Sequence, residues 1–222
     1  MKPISDEYIS ALEELGGMLL AFAKVNRRTY LDPERTPESD TDHTVMLAIM
    51  ACAVAQQLHP DYDLGKVAQY ALVHDLVEVY AGDVNTINFL TIDQAAKDAA
   101  EAAALQKIKD QFGTHFPWIH ETIEAYESLR DPEARFIKTL DKLMPAVSHR
   151  HSDNHVVNED FTDPAAFEKS VQARNKHMRA TYAADQEPSM YLRETILEKI
   201  IDKKYAHHGV QRRKTKPDGG SE

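Results

Sequence analysis

Apolar residues recur at helical spacing along most of the chain, and no segment alternates apolar and polar residues as a half-buried strand does. The segments predicted to be helical are residues 6–24, the run that follows Ser39, and residues 64–80, 91–112, 116–129, 131–147, 164–183 and 189–205. No internal repeat accompanies them. The pattern therefore predicts an all-α fold.

Local signals indicate where several of these helices begin and end. Ser39 and Asp42 have the spacing of a capping box, which places His43 in the first turn of the helix that follows. Asp131 precedes a proline that suits the first helical position. Gly82 is expected to end the helix over residues 64–80.

Polar stretches interrupt the helical pattern. Residues 26–38 are predicted to form a polar loop, residues 148–163 a mobile lid or surface loop, and residues 207–222 a disordered tail. None of them has the composition of an interdomain linker. We therefore expect one domain over residues 1–206 that includes C-terminal helices within residues 164–205.

Composition narrows the class of protein. The chain has 222 residues, of which 42% are hydrophobic and 28% charged, as is usual for a globular protein. Its net charge of -10 argues against binding a nucleic-acid polymer, because phosphate backbones are held mainly by Lys and Arg. No secretory signal or membrane-spanning run is evident, and Cys52 is the single cysteine, so a cytoplasmic location is expected.

Charged residues occur within one of the most apolar helical segments. In "ALVHDLVEVYAGDV", residues 71–84, the side chains of His74, Asp75 and Glu78 are surrounded by Ala, Leu and Val. Buried charges need partners. His43, His74, Asp75 and Asp141 together offer nitrogen and oxygen donors that suit a divalent ion such as Mn, Co, Fe, Ni, Zn or Mg.

Taken singly, these positions have ordinary explanations. His43 suits a helix cap or a satisfied surface group, and Asp141 with Lys142 suits a solvated ion pair. The joint pattern favours a metal site more strongly than any one position does. His74 and Asp75 point about 100° apart on a helix, so an ion that binds both must lie along the edge between them.

The ordered pattern of an isolated His, a His-Asp doublet and a later Asp resembles the HD-domain superfamily of metal-dependent phosphohydrolases. The segments "ESDTDH", "HDLVEVYAGDV" and "PEARFIKTLDKL" are similar to those of the branch of HD-domain 5'-deoxynucleotidases. The resemblance covers residues 20–147. It implies an HD-domain helical bundle, a divalent metal ion and a homodimer.

The resemblance also implies roles for individual residues. The metal ligands of the family correspond to His43, His74, Asp75 and Asp141, and its catalytic glutamate corresponds to Glu78. Its phosphate-binding arginine corresponds to Arg28, although the neighbouring Arg27 leaves the register open. Asp83 matches an aspartate implicated in recognising the deoxyribose hydroxyl, and as an alternative it caps the next turn. Tyr30 stands near the position where relatives often carry a tryptophan that packs on the nucleoside.

The resemblance implies a nucleotidase that removes phosphate from (deoxy)nucleoside 5'-monophosphates by attack of metal-bound water. Two alternatives remain open. One is an HD phosphohydrolase that acts on nucleoside triphosphates or cyclic nucleotides, with the same metal ligands. The other is a non-catalytic metal-binding helical module that mediates interactions. The expected partner is a small nucleotide, with no membrane and no nucleic-acid polymer.

Overall fold

The computed structural model describes residues 4–212 and confirms the all-α fold. Its helices in chain order are α1 (Asp6–Phe22), α2 (Asp40–Leu58), α3 (Leu64–Val73), α4 (Glu78–Ala81), α5 (Gln94–Phe112), α6 (Pro117–Glu127), α7 (Pro132–Asp141), α8 (Met144–His151), α9 (His155–Asp160), α10 (Pro164–Thr181) and α11 (Glu187–His207). A short 3-10 helix spans Phe89–Thr91. Within residues 4–212, no helix is both long and apolar enough to cross a membrane.

The capping box that opens α2 is present as the sequence predicts. The Ser39 hydroxyl accepts from the Asp42 backbone N–H, and the Asp42 side chain accepts from the Ser39 backbone N–H. These two bonds satisfy donors that a helix start otherwise leaves unpaired. Because the cap sets where α2 begins, it places His43 in the first turn, where the ring is fully buried.

A small sheet replaces part of the polar loop that was predicted over residues 26–38. Strand β1 (Asn26–Tyr30) pairs antiparallel with β2 (Pro37–Ser39). The sequence prediction missed it because the inward side chains of the strands are Arg27 and Glu38, so no apolar alternation marks them. The hairpin thus places the charged side chains of Arg27 and Glu38 in the interior of the protein.

The helix predicted over residues 64–80 is interrupted, which corrects that prediction. α3 ends at Val73, and the backbone N–H groups of Leu76, Glu78 and Val79 bond to carbonyls three residues back. That pattern is the tighter 3-10 winding, in which residues three apart lie on the same side. Asp75 and Glu78 therefore share a face.

Gly82 ends α4, as expected. Its φ is +77°, a conformation that costs a residue with a Cβ more than it costs glycine. Its backbone N–H donates to the Glu78 carbonyl over 2.7 Å. The chain turns away from the helix axis at this point, and Asp83 follows directly.

The lid or surface loop predicted over residues 148–163 is wrong. The segment forms the end of α8 and all of α9, with Val156 and Val157 buried. The polar composition misled the prediction because some of these polar residues are buried: Ser148, His149, Ser152 and Asn154. Ser148, for example, donates to Glu38 over 3.0 Å. A polar group that is hydrogen-bonded inside the protein can be buried, so composition alone does not identify a solvated loop.

Among the described residues, the apolar core has three large clusters. One is built from α2, α3 and α7, around residues such as Phe136. The second joins α1, α5 and α6 and includes Ile108, and the third joins α8 to α11 and includes Ile200. His43, His74 and Asp141 lie on α2, after α3 and at the end of α7, so the helix packing brings them to one place.

The chain end differs in part from the tail predicted over residues 207–222. His207 is the last residue of α11, and Arg212 pairs with Glu168, Glu198 and Asp202. The rest of that tail, residues 213–222, lies outside the described residues.

Candidate metal centre

The four side chains proposed as metal ligands lie together. His43, His74, Asp75 and Asp141 each offer one nitrogen or oxygen atom, and these atoms lie within 4.8 Å of one another. Two ligands that bind one ion at about 2.2 Å are at most about 4.4 Å apart, so movements of a few tenths of an ångström suffice for binding. The four residues are also mostly shielded from water.

Both histidines are oriented with Nε2 toward the cluster. His43 donates from Nδ1 to Glu38 Oε1 over 2.9 Å, and His74 donates from Nδ1 to the Ala71 carbonyl over 2.8 Å. Such bonds fix the tautomer of a metal-ligating histidine and direct its other nitrogen to the ion. His74 Nε2 lies 2.9 Å from Asp75 Oδ2, although the geometry is not that of a hydrogen bond. Two imidazole nitrogens and two carboxylates directed at one position are a mixed N and O donor set that fits a divalent cation.

Electrostatics around His43 favour its charged form when no cation is bound. Burial opposes the charge, but hydrogen bonds to Asp141 and Glu38 outweigh it and raise the pKa of His43 to about 9. His43 Nε2 lies 3.0 Å from Asp141 Oδ1. A cation at this position therefore displaces a proton from His43.

The guanidinium of Arg27 contacts several carboxylates of this cluster directly. Its Nη1 lies 2.5 Å from Asp75 Oδ2, 3.2 Å from Asp40 Oδ1 and 3.9 Å from Glu78 Oε2. Although burial works against the charged guanidinium, Asp75, Asp141 and Glu78 raise its pKa well above the ordinary value. Arg27 thus offsets carboxylates that would otherwise repel one another.

Arg28, the arginine singled out from the sequence, lies apart from the cluster. Its guanidinium is 3.0 Å from both Glu159 Oε2 and Asp160 Oδ1, and its side chain is 41% exposed. Successive residues of a strand point to opposite faces, so the neighbours Arg27 and Arg28 cannot both face the carboxylates of the cluster. The structure instead places Arg27 next to the predicted metal ligands. Arg27 is the alternative that the sequence left open for this position.

Glu78 is buried beside the predicted ligands. It faces Arg27 and belongs with Asp40 and Asp75 to a second group of carboxylates whose oxygens lie within 4.8 Å. Burial, with the charges of Asp75 and Asp40, raises the pKa of Glu78 to about 10. Its Oε2 has no hydrogen-bond partner within residues 4–212. The carboxyl group is therefore placed to exchange a proton with a bound molecule.

Asp83 and Tyr30 occupy different surroundings. Asp83 lines a cavity next to the cluster, and its pKa is raised by burial. Tyr30 packs edge-on against His155, with ring centroids 6.4 Å apart, and it does not line that cavity. Asp83 is thus close to the proposed ligands, whereas the ring of Tyr30 is directed to α9.

The cavity adjoins the predicted metal ligands through Arg27 and Lys142. Lys142 Nζ lies 2.8 Å from Asp141 Oδ2. Apolar atoms from α8, α10 and α11 form much of the remaining wall, including those of Ala146, Phe167 and Leu197. A ligand in this cavity contacts both cationic side chains and apolar surface.

The sequence analysis missed three largely buried residues of the site, namely Glu38, Asp40 and Arg27. For Arg27, it was the contact with the carboxylates that was not predicted. All lie in or beside the hairpin, which the sequence pattern did not reveal. The charged segment "ESDTDH" held the available signal, since Glu38 and Asp40 flank the capping serine. Because Glu38 and Asp40 were interpreted as part of the helix start, the prediction did not show that their side chains point inward.

Comparisons with known proteins identify the family. The HD domain family model matches residues 22–184. The human 5'-deoxynucleotidase HDDC2 is 31% identical over 108 residues, which cover 48% of this chain and 50% of that protein. The 5'-deoxynucleotidase hdd1 of Schizosaccharomyces pombe is 28% identical over 111 residues, covering 48% and 54%. The chain thus spans about half the length of these curated relatives.

The fold also matches that of a solved structure. A predicted metal-dependent phosphohydrolase from Magnetospirillum magnetotacticum MS-1 superposes with a TM-score of 0.64 at 20% identity, over 88% of this chain and 98% of that one. At this identity the likeness establishes the fold alone. The match extends beyond the predicted metal ligands into the C-terminal helices.

Proposed function

The chain belongs to the HD domain family, and from that premise we propose that it is a metal-dependent phosphohydrolase acting on (deoxy)nucleoside 5'-monophosphates. The observation that carries the proposal is the convergence of His43, His74, Asp75 and Asp141 around one position, with buried Glu78 beside them. The names of the curated relatives, 5'-deoxynucleotidases, support this substrate class.

The four proposed ligands would hold one divalent cation, whose identity is open. When bound, such a cation acts as a Lewis acid on a phosphoryl oxygen and makes a water molecule more acidic. The two carboxylates lower the net charge of the ion, while Glu38 and the Ala71 carbonyl keep both imidazoles in position. This arrangement holds the ligands in place before substrate binds.

Glu78 would act as the general acid or base. Its Oε2, which makes no hydrogen bond within residues 4–212, is available to orient a water or to deliver a proton to the leaving oxygen. Arg27, with its planar guanidinium directed at the cluster, suits non-bridging phosphoryl oxygens once substrate replaces part of its carboxylate contacts. Arg28 lines the mouth of the cavity and stays a proposed phosphate contact at the edge of the site.

Asp83 is the proposed contact for the sugar. It follows the turn at Gly82 and lines the cavity, so its carboxylate is available to accept from a deoxyribose hydroxyl. The apolar wall formed by α8 and α10 offers surface for the nucleoside. Tyr30 remains a prediction as a nucleoside contact, which requires its ring to leave His155.

A panel of nucleotides tests the proposal directly. With Mn or Co present, we expect phosphate release from deoxynucleoside 5'-monophosphates with a higher kcat/KM than for ribonucleotides, triphosphates or cyclic nucleotides. Discrimination against a single added hydroxyl in such a pocket is typically up to about 10²-fold. Triphosphate turnover above monophosphate turnover would favour the alternative HD phosphohydrolase reaction instead.

Chelation is the control for the panel. EDTA is expected to abolish turnover and to lower the melting temperature, because an ion that binds only the native state stabilises it. At a concentration of 1,000 times Kd, that stabilisation is about 4.1 kcal/mol. An unchanged melting temperature after verified metal removal would argue against an ion held by these four residues.

Homodimerisation and a cytoplasmic location also remain proposals. Helix α1 exposes Ile9, Leu12, Leu19 and Leu20, an apolar surface that a second copy would cover. We expect sedimentation velocity to give a species with twice the mass of one chain. A species with the mass of a single chain at micromolar concentration would contradict the dimer. The single cysteine, Cys52, is compatible with a reducing compartment.

A further inference from the structure

Two arginines near the metal centre lack acidic partners. Arg174 lies half-buried on α10, and Arg193 lies on α11 and is only 3% exposed. Among the described residues, neither guanidinium has a carboxylate oxygen within 4 Å, whereas the largely buried guanidinium of Arg27 has several. Since arginine stays charged in nearly all proteins, this arrangement is costly unless a negative group is supplied.

The contacts that these arginines do make are weak or neutral. Arg193 Nε lies 3.5 Å from the Met178 sulfur, and its Nη1 is buried without a hydrogen-bond partner in the described chain. Arg174 donates to the Thr86 carbonyl and stacks over Phe89, with its Cζ 5.2 Å from the ring centroid. Neither a thioether nor a carbonyl neutralises a guanidinium.

Both arginines line the cavity beside the metal centre, together with Lys142 and His149. His149 Nδ1 is another buried atom that makes no hydrogen bond within residues 4–212. The cavity volume is about 90 Å³, whereas a single water needs only about 10–15 Å³ of such space. This space has room for several waters, or for a phosphate group that belongs to a ligand extending along the cavity.

We propose that Arg174, Arg193 and Lys142 form a binding subsite for a phosphate-type oxyanion, separate from the position enclosed by the four proposed metal ligands. The oxyanion accepts from Arg193 Nη1 and from the guanidinium of Arg174, and His149 supplies a further donor. Lys142 contacts Asp141 and so connects this subsite to the metal centre.

The charge balance favours an oxyanion over a neutral nucleobase. Burial and the neighbouring positive charge of Arg174 lower the pKa of Arg193 to about 9. A base carbonyl offers a hydrogen bond but no negative charge, whereas a phosphate group offers both and binds guanidinium by paired bonds. Its source is either free inorganic phosphate or a second phosphate group on a nucleotide.

Calorimetric titration of EDTA-treated full-length protein with inorganic phosphate tests the subsite. Wild type is expected to bind phosphate, and Arg193→Met or Arg174→Met is expected to weaken binding by about 10- to 100-fold, the usual effect of losing a hydrogen bond to a charged group. Arg179→Met is the matched control. Arg179 also lies on α10, but it pairs with Glu187 and Glu194, so phosphate affinity should be unchanged.

Thermal melting separates a binding role from a structural one. In phosphate-free buffer, Arg174→Met and Arg193→Met should melt no lower than wild type, because each removes an uncompensated buried charge. Failure of wild type to bind phosphate, wild-type phosphate affinity in both variants, or a lower melting temperature of both would overturn the proposal. If one variant fails to fold, the other still provides the comparison.

Nucleotide titrations distinguish the two sources. A deoxynucleoside 3',5'-bisphosphate that binds more tightly than the 5'-monophosphate, with the difference lost in Arg193→Met, identifies a second phosphate of the ligand. Equal binding of the two nucleotides, with inorganic phosphate still bound, identifies free phosphate. No turnover enters these measurements, so a chain without nucleotidase activity gives the same result. Failure of the subsite is therefore distinguishable from failure of the proposed function.

Discussion

Glu78→Gln is expected to lower kcat for the deoxynucleotide substrate by about 10²–10⁴-fold, the usual contribution of a general acid or base. Glutamine keeps the size of the buried side chain but carries no exchangeable carboxyl proton. The metal ligands His74 and Asp75 are unchanged in this variant, so metal content should match that of wild type. Phosphate release and elemental analysis of the same preparation provide the two measurements.

The control for this variant is Glu124→Gln. Glu124 lies on α6, pairs with Lys109 and is 45% exposed, so kcat should stay at the wild-type value. A Glu78→Gln protein that retains both its metal and its turnover would show that Glu78 has no chemical role. The non-catalytic metal-binding module would then be the better interpretation.

Arg27→Met is expected to lower the free energy of unfolding of metal-free protein by about 3–5 kcal/mol, because it leaves buried carboxylates without their cation. The affected groups are Asp75, Asp40 and Glu78, all within 4 Å of the guanidinium. Urea unfolding in EDTA measures the loss. With a divalent ion bound, the loss should shrink, since the ion offsets part of the same negative charge.

Arg28→Met is the matched control, one residue along the same strand. Its guanidinium contacts Glu159 and Asp160 at a partly exposed position, so the change in unfolding free energy should stay within about 1 kcal/mol. Equal losses in the two variants would contradict the distinct roles of these arginines. A larger loss for Arg28→Met would show that its contacts with Glu159 and Asp160 contribute more to stability than those of Arg27.

The caps and apolar spacing made most helices predictable. The Ser39–Asp42 capping box is local, so the start of α2 follows from four residues of sequence. The break after Val73 was not predictable in this way, because the apolar spacing continues through it. Likewise, residues 148–163 are polar in composition, yet their polar groups bond to buried partners such as Glu38.

The sequence by itself determined the helical class of the fold and the residue types that suit a metal ion, since periodicity, caps and donor chemistry are local properties. Tertiary structure alone decided that Arg27 rather than Arg28 contacts the carboxylates of the metal centre, such as Asp75. It also decided that Arg174 and Arg193 line one cavity. The physical reason is that a side chain's partner depends on strand orientation and helix packing. Strand orientation and helix packing bring together residues that are far apart in the chain, and no local sequence pattern indicates such contacts.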